Sequence, residues 1–408
     1  MHWRITDPAH LLGAMRVSLC QGGAFLAGRI DPYGPICRER NLSYMAKAAW
    51  GMHAAGVEQD TVARLLDWAE KEALRENGDF YFPEEEPEYK DLQRVYRPMT
   101  LGKVAAWIGH PVIRRQQVLD RILQYQHRPS GGCFHYIGDH PGNPELPATI
   151  GTLNTTFFGQ LMVALDIRDE ARAAGDWVLR WVEANREPMG AGQLFTQMTL
   201  DGRLVTDVGP GEKVSKVVDT RGPKQEFWNV GTAMAYLTLL YDVMRGRWGE
   251  PEEQARPYLD AALALLDFEA TMPLDTYLWP SKCKVGWGAG ELLRVLVEHG
   301  LGDEATREKT YRVAERVAVF TFLDNQLPGG GWSCMHYPLG EQTAEMALSY
   351  KPLKGTLRVP PRPIAGSETI FLPAEEISGE FLGELKTVEQ GVAAWLHLLP
   401  SDLPHQGQ

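Results

Sequence analysis

Residues 149–166, TIGTLNTTFFGQLMVALD, are apolar or small all round a helical wheel and carry no charge before Asp166. Residues 168–186, RDEARAAGDWVLRWVEANR, follow at once with one apolar stripe and one charged face. A helix without a polar face has to be covered on every side, whereas a one-stripe helix lies between core and solvent. The pair predicts an inner helix backed by an outer one.

The same alternation runs through the chain. Apolar segments recur at 41–55, 99–109, 226–244, 284–299 and 380–399, and amphipathic ones at 60–76, 112–126, 252–269 and 303–323. In the first of the latter, Asp60 offers a cap, Val62, Leu65, Leu66, Ala69 and Ala73 form the stripe, and Gly78 can end the helix. Segment 8–20 supplies a sixth outer helix. Concentric rings of inner and outer helices then make an all-α, single-domain (α/α)6 toroid over residues 1–408. Each outer helix hands over to the next inner one, so the handover loops should gather at one mouth. Glycine–aromatic stretches at 77–82, 131–136, 192–195 and 329–337 read as short extended loops or small hairpins there. Two handovers are long, 198–225 and 338–379, and loops of such length are usually lids or binding loops.

Bulk properties bound the function. The formal charge of -12 argues against a nucleic-acid scaffold. Five scattered cysteines do not make a disulfide framework and favour a reducing compartment. The first twenty residues are interrupted by Arg4, Asp7 and Arg16, which does not fit a signal peptide. No segment reaches the length of a membrane span. The expectation is a cytoplasmic protein with a small-molecule partner. No glycine-rich phosphate loop follows a predicted strand, so no nucleotide cofactor is expected.

QLPGGGW at 326–332 fits the pattern Gln-x(2–5)-Gly-x-Trp, and Gln126 to Phe134 is a looser copy. With the helix alternation, this resembles the terpenoid cyclase/protein prenyltransferase toroid superfamily. The resemblance covers nearly the whole chain as architecture. It implies that Gln326 and Trp332 tie outer helices together and are structural. The chemical signatures of that superfamily are not found: no Asp-x-Asp-Asp proton donor, no matching Asp/Cys/His zinc set, and no Cys-His-Gly of the lanthionine cyclases.

Candidate chemistry concentrates in the handovers. Cys-x-His-Tyr occurs twice, as Cys133-Phe134-His135-Tyr136 and Cys334-Met335-His336-Tyr337. Histidine suits proton transfer near neutral pH, which makes His135 and His336 the catalytic candidates, with Tyr136, Tyr337 and Glu226 as partners. The cysteines read as core filler. A joint Cys2His2 zinc site has suitable ligand types, but the copies lie on opposite sides of a six-fold ring, so the expected cofactor is none. Lys282 and Lys284 open an inner helix, where cations are disfavoured unless an anion is near. That anion is a substrate or simply a protein carboxylate. With Arg221 they are the anion contacts, and Trp228, Asn229, Trp279 and Trp287 complete the substrate-binding set. Basic loop residues Lys213, Lys216, Lys224, Lys351, Lys354, Arg358 and Arg362 favour the same polarity.

The function expected from these features is a cofactor-independent lyase, isomerase or cyclase. It would work by general acid–base chemistry in a central cavity, on a small to medium, partly apolar substrate, with or without an anionic group, such as a terpenoid or other secondary metabolite. A carbohydrate-active (α/α)6 enzyme is the alternative, held back because no carboxylate pair is evident. A non-enzymatic binding module is the second.

Overall fold

The computed structural model describes residues 7–30, 42–82, 95–137, 146–209, 216–222, 225–332, 336–338, 369–371 and 374–398. Its helices are α1 (Pro8–Ala27), α2 (Leu42–Ala54), α3 (Gln59–Ala73), α4 (Tyr96–Ile108), α5 (Gln116–Gln124), α6 (Thr152–Leu165) and α7 (Arg168–Ala184). They continue with the short α8 (Arg186–Gly190), then α9 (Trp228–Arg245), α10 (Glu252–Ala270), α11 (Cys283–Glu298), α12 (Glu304–Val317) and α13 (Ala374–Leu396). Helices α2, α4, α6, α9, α11 and α13 each pack on the next, and α13 returns to α2, which closes an inner ring. Helices α1, α3, α5, α7, α10 and α12 alternate with them along the chain and back them as an outer ring. The burial follows the composition. Thr152, Asn154 to Val163 and Leu165 are all buried in α6, whereas α7 buries only one face, Ala171, Ala174, Gly175, Trp177, Val178, Trp181 and Val182. The chain is an (α/α)6 toroid.

Three two-stranded antiparallel ladders lie in the handovers: β1 (Thr149–Gly151) with β3 (Gln197–Thr199), β2 (Gln193–Phe195) with β4 (Val217–Asp219), and β5 (His336–Pro338) with β6 (Thr369–Phe371). The first ladder joins the handover into α6 to the one into α9, so these loops share one face of the ring. Segment 198–225 is partly this ladder structure rather than open loop. Within it, residues 210–215 and 223–224 lie outside the described residues, as does most of 338–379.

Three element boundaries differ from the sequence pattern. The segment 112–126 is a 3-10 turn, Pro111–Arg114, and then α5, because Arg115 is extended at φ -65 and ψ 132. The segment 303–323 ends as α-helix at Val317, widens into a π turn, Ala318–Phe322, and then tightens into a 3-10 turn, Leu323–Asn325. Helix α13 begins at Ala374, ahead of its continuous apolar run.

The handovers also carry the ties between outer helices. The Gln126 amide donates to the Gly131 carbonyl at 2.9 Å and to the Glu170 carbonyl of α7 at 3.1 Å. Gln326 repeats this with Gly330 at 2.7 Å and Ser18 of α1 at 3.0 Å. Trp332 Nε1 donates to the Phe322 carbonyl, freed by the π turn, at 2.9 Å. After α3 the tie is ionic: Asp79 is buried against Arg121 at 3.0 Å and accepts from the Tyr125 hydroxyl at 2.9 Å, both residues of the α5 region. Asp79 therefore braces the outer ring.

Gly131 and Gly330 adopt φ of +77° and +88°, and a Cβ on either would overlap the backbone carbonyl of the next outer helix, Ala173 or Gln21. Gly56 has φ +75° but nothing within 4 Å. Substituting alanine at Gly131 or Gly330 should therefore cost more than the backbone strain of about 1–3 kcal/mol that Gly56→Ala carries alone. Urea denaturation of the three variants measures the difference.

A buried acid–base cluster at the candidate active site

Charged side chains reach the axis from the inner ring, whose buried faces are mostly apolar. Lys47 comes from α2, Lys284 from the start of α11, and Glu380 and Glu384 from α13. The two glutamates are one turn apart, so both carboxylates share a face. Lys47 Nζ lies 2.8 Å from Glu380 Oε2, and Lys284 bridges Glu380 Oε1 and Glu384 Oε1, the latter at 3.1 Å. The Tyr96 hydroxyl adds a bond to Glu380 Oε1 at 3.3 Å. These four charged side chains expose 5% or less of their surface. Two ammonium groups against two carboxylates leave the cluster neutral, which is what burial demands. Both Glu380 oxygens are engaged. Glu384 Oε2, by contrast, has no hydrogen-bond partner among the described residues.

The Cys283 thiol and one carboxylate oxygen of each glutamate lie within 4.8 Å of one another. Burial, and then the Glu384 charge, push this thiol well above its ordinary range. The trio fits a metal poorly. Lys47 and Lys284 already hold three of the four carboxylate oxygens, and a metal-binding thiol must first lose its proton.

Deeper along α4 stands Lys103, with none of its surface exposed. Its ammonium donates to Gln160 Oε1 at 2.8 Å and lies over the rings of Phe157 at 4.2 Å, Trp50 at 4.8 Å, Trp287 at 4.9 Å and Trp107 at 5.6 Å. Burial and the nearby Lys284 push its pKa well below the ordinary lysine range, and Glu384 partly opposes them. Gln160 Nε2 is buried without a hydrogen-bond partner among the described residues. Trp107 is 45% exposed and stacks on His53 at 5.7 Å, at the C-terminal ends of α4 and α2. Rings and a lysine therefore line the hub at this depth. Limited surface remains toward the helix N-termini, where Tyr44, Trp228 and Trp287 each keep 8%.

The residues singled out from sequence fall into several places. Lys284 is in the cluster, and Trp287 packs edge-on to Trp50 at 5.2 Å beside Lys103. Lys282 faces the other way, because two positions apart on a helical turn means roughly 200°. Its ammonium is paired with the fully buried Glu269 of α10 and lies over the Phe227 ring at 3.8 Å. Arg221 is an exposed ion pair with its near neighbour Asp219 at 2.6 Å. Glu226 is half-buried and its carbonyl accepts from the Asn229 amide at 3.2 Å. Trp228 is buried and Trp279 half-buried. Ser281 accepts from the Phe227 backbone at 3.2 Å and so stitches the starts of α9 and α11 together. His135 is 9% exposed, edge-on to Tyr136 at 4.6 Å. That loop is held over the first turn of α6 by the Cys133 amide, which donates to Thr155 Oγ1 at 3.0 Å. Cys133 itself is fully buried. His336 and Tyr337 lie in β5, and their side chains, with Cys334, fall outside the described residues.

Lys47, Lys103, Gln160, Glu380 and Glu384 were not singled out from sequence. The signal was present: a Lys or Glu inside a helix with no polar face has to be paired or functional.

No protein-family model matches the chain, and no curated protein matches it in sequence. Among solved structures, a D-mannose isomerase superimposes with a TM-score of 0.55 at 10% identity, covering 82% of this chain and 91% of that one. An alpha-1,6-mannanase from Salegentibacter sp. HEL1_6 gives 0.49 at 13% identity over 94% and 100%. A type II terpene cyclase, MstE from Scytonema, gives 0.47 at 12% identity over 96% and 99%. Fold and ring closure thus define the class, the (α/α)6 toroids. Among the described residues no helix is long and apolar enough to cross a membrane.

Burial pushes the His135 pKa down to about 4. Above the unfolded-state value near 6.5 both states are neutral and the residue has no pH effect. As pH falls from there to about 4 the unfolded chain takes up a proton that the folded one refuses, and stability drops by up to about 3 kcal/mol before levelling off. His135→Gln should remove this portion of the acid limb in a urea-denaturation series across pH.

Proposed function

We propose that this chain is an enzyme that moves protons on a small hydroxylated carbonyl compound at its hub, an isomerase or lyase without a nucleotide cofactor. The observation that supports this most is the buried cluster on α2, α11 and α13, in which one carboxylate is saturated and the other is not. Glu380, clamped by Lys47, Lys284 and Tyr96, is the anchor. Glu384, fixed through one oxygen by Lys284, keeps Oε2 as the base. It would take the proton from the hydroxyl-bearing carbon beside the carbonyl and return it to the former carbonyl carbon, while the proton of that hydroxyl passes to the former carbonyl oxygen, which completes the isomerisation. In the lyase case a leaving hydroxyl would take it instead. His135 and Tyr136, in the handover beside α6, remain candidates for contact with the substrate at the mouth.

A carbocation cyclase is disfavoured by the same hub. Lys103 occupies the ring cage, where an ammonium would repel a carbocation and a free amine would trap it. Hydrolysis by a carboxylate pair is disfavoured because neither Glu380 oxygen is free to act. The toroid fold does host a D-mannose isomerase, which makes an aldose or ketose a compatible substrate, by analogy of fold alone.

The reading is tested by incubating the protein in D2O with a panel of aldoses, ketoses and small 2-hydroxy aldehydes. Proton NMR then follows loss of the hydrogen beside the carbonyl. Exchange on at least one compound is expected, reduced about 100-fold or more in Glu384→Gln. No exchange across the panel, or full exchange in Glu384→Gln, overturns it.

A further inference from the structure

Four lysines are buried among the described residues: Lys47, Lys103, Lys282 and Lys284. Three have a carboxylate against the ammonium, Glu380 for Lys47, Glu269 for Lys282, and Glu380 with Glu384 for Lys284. Lys103 has none. An ammonium of this kind is costly to bury, and the four rings around it return only about 0.5–2 kcal/mol each. A lysine kept purely for packing would be better replaced by methionine. Its one hydrogen bond goes to Gln160 Oε1, and this turns the amide so that Nε2, a second donor, is left buried without an acceptor. An ammonium with one hydrogen bond, beside an amide donor that has no acceptor, is an arrangement suited to receive negative oxygen.

We propose that Lys103 Nζ and Gln160 Nε2 form an oxyanion-receiving site at the floor of the hub, taking a small planar oxyanion such as the enolate formed from the bound carbonyl compound. The identity of that anion rests on the proton-transfer reading, but the site is tested without turnover. When Glu384 takes a proton from the carbon beside a carbonyl, the electron pair moves onto the carbonyl oxygen. The ammonium and the amide then meet that charge as it develops, and nothing is oxidised or reduced. Among the described residues no carboxylate lies within ion-pair distance of Lys103, and Glu384 acts on it only from further off, so the interaction is stronger in the transition state than in the ground state. Three of the other cationic candidates cannot do this, since Lys282, Lys284 and Arg221 already hold protein carboxylates.

The test uses glycolohydroxamate, a planar mimic of an enediolate, and glycolate as a simple carboxylate. Trp50 and Trp287 flank Lys103, so binding is read by tryptophan fluorescence and confirmed by titration calorimetry. Saturable binding of glycolohydroxamate is expected, tighter than glycolate, and weakened about tenfold or more in Lys103→Met and in Gln160→Leu. Absence of saturable binding by the unmodified protein, or unchanged binding in both variants, overturns the site. Thermal denaturation provides a second reading. Lys103→Met should be as stable as the parent or more so, because it removes an uncompensated buried charge at similar volume. A marked fall in its melting temperature would show a structural lysine and overturn the proposal. Deuterium exchange that persists in the absence of hydroxamate binding would leave the proton-transfer reading standing and remove only this site.

Discussion

The structure depends on neutralising charge in a place without water. The inner ring carries Lys47, Lys284, Glu380 and Glu384 at its axis, and each is tolerable only while its partner stays within hydrogen-bond reach. That requirement locks three helices into one arrangement. It also needs their backbones to approach closely. A Cβ on Gly379 would overlap the Lys47 carbonyl of α2, and one on Gly391 would overlap the Gly290 carbonyl of α11. Both contacts belong to α13. The last helix of the chain is thus drawn onto the first and the penultimate inner helices, and the ring closes through its own chemistry.

The outer ring is held by a different device, repeated rather than central. Gln126 and Gln326 each reach from a handover to a carbonyl of the next outer helix, and Asp79 does the same work with Arg121. The resemblance to the toroid superfamily was carried by this brace, which explains why it announced architecture and said nothing about reaction. Braces belong to the scaffold, and scaffolds of this kind serve unrelated chemistries.

The ring was legible in the sequence because complete burial leaves a plain trace, an all-apolar helix such as 152–165 beside a striped one such as 168–184. The site was legible only in part. Lys284 stood out at a helix start, and the need for an anion near it was readable. The anion itself comes from Glu380 and Glu384, distant in the chain, and no local pattern connects them. Lys282 looked equivalent to Lys284, yet the helical turn sends it into the wall toward Glu269. The charges in YMAKAAW, MTLGKVAAW and ISGEFLGEL are a rarer signal than histidines in loops, because their settings are otherwise apolar.

Trp107 gives the far end of the barrel its own character. Its ring is 5.6 Å from the Lys103 ammonium on one side, while nearly half of it meets solvent on the other. Among the described residues this indole, steadied by the His53 ring, stands between solvent and a lysine without an ion-pair partner. Hydration of that lysine would be favourable if the indole swung aside, so the floor is a place where the toroid is inclined to leak.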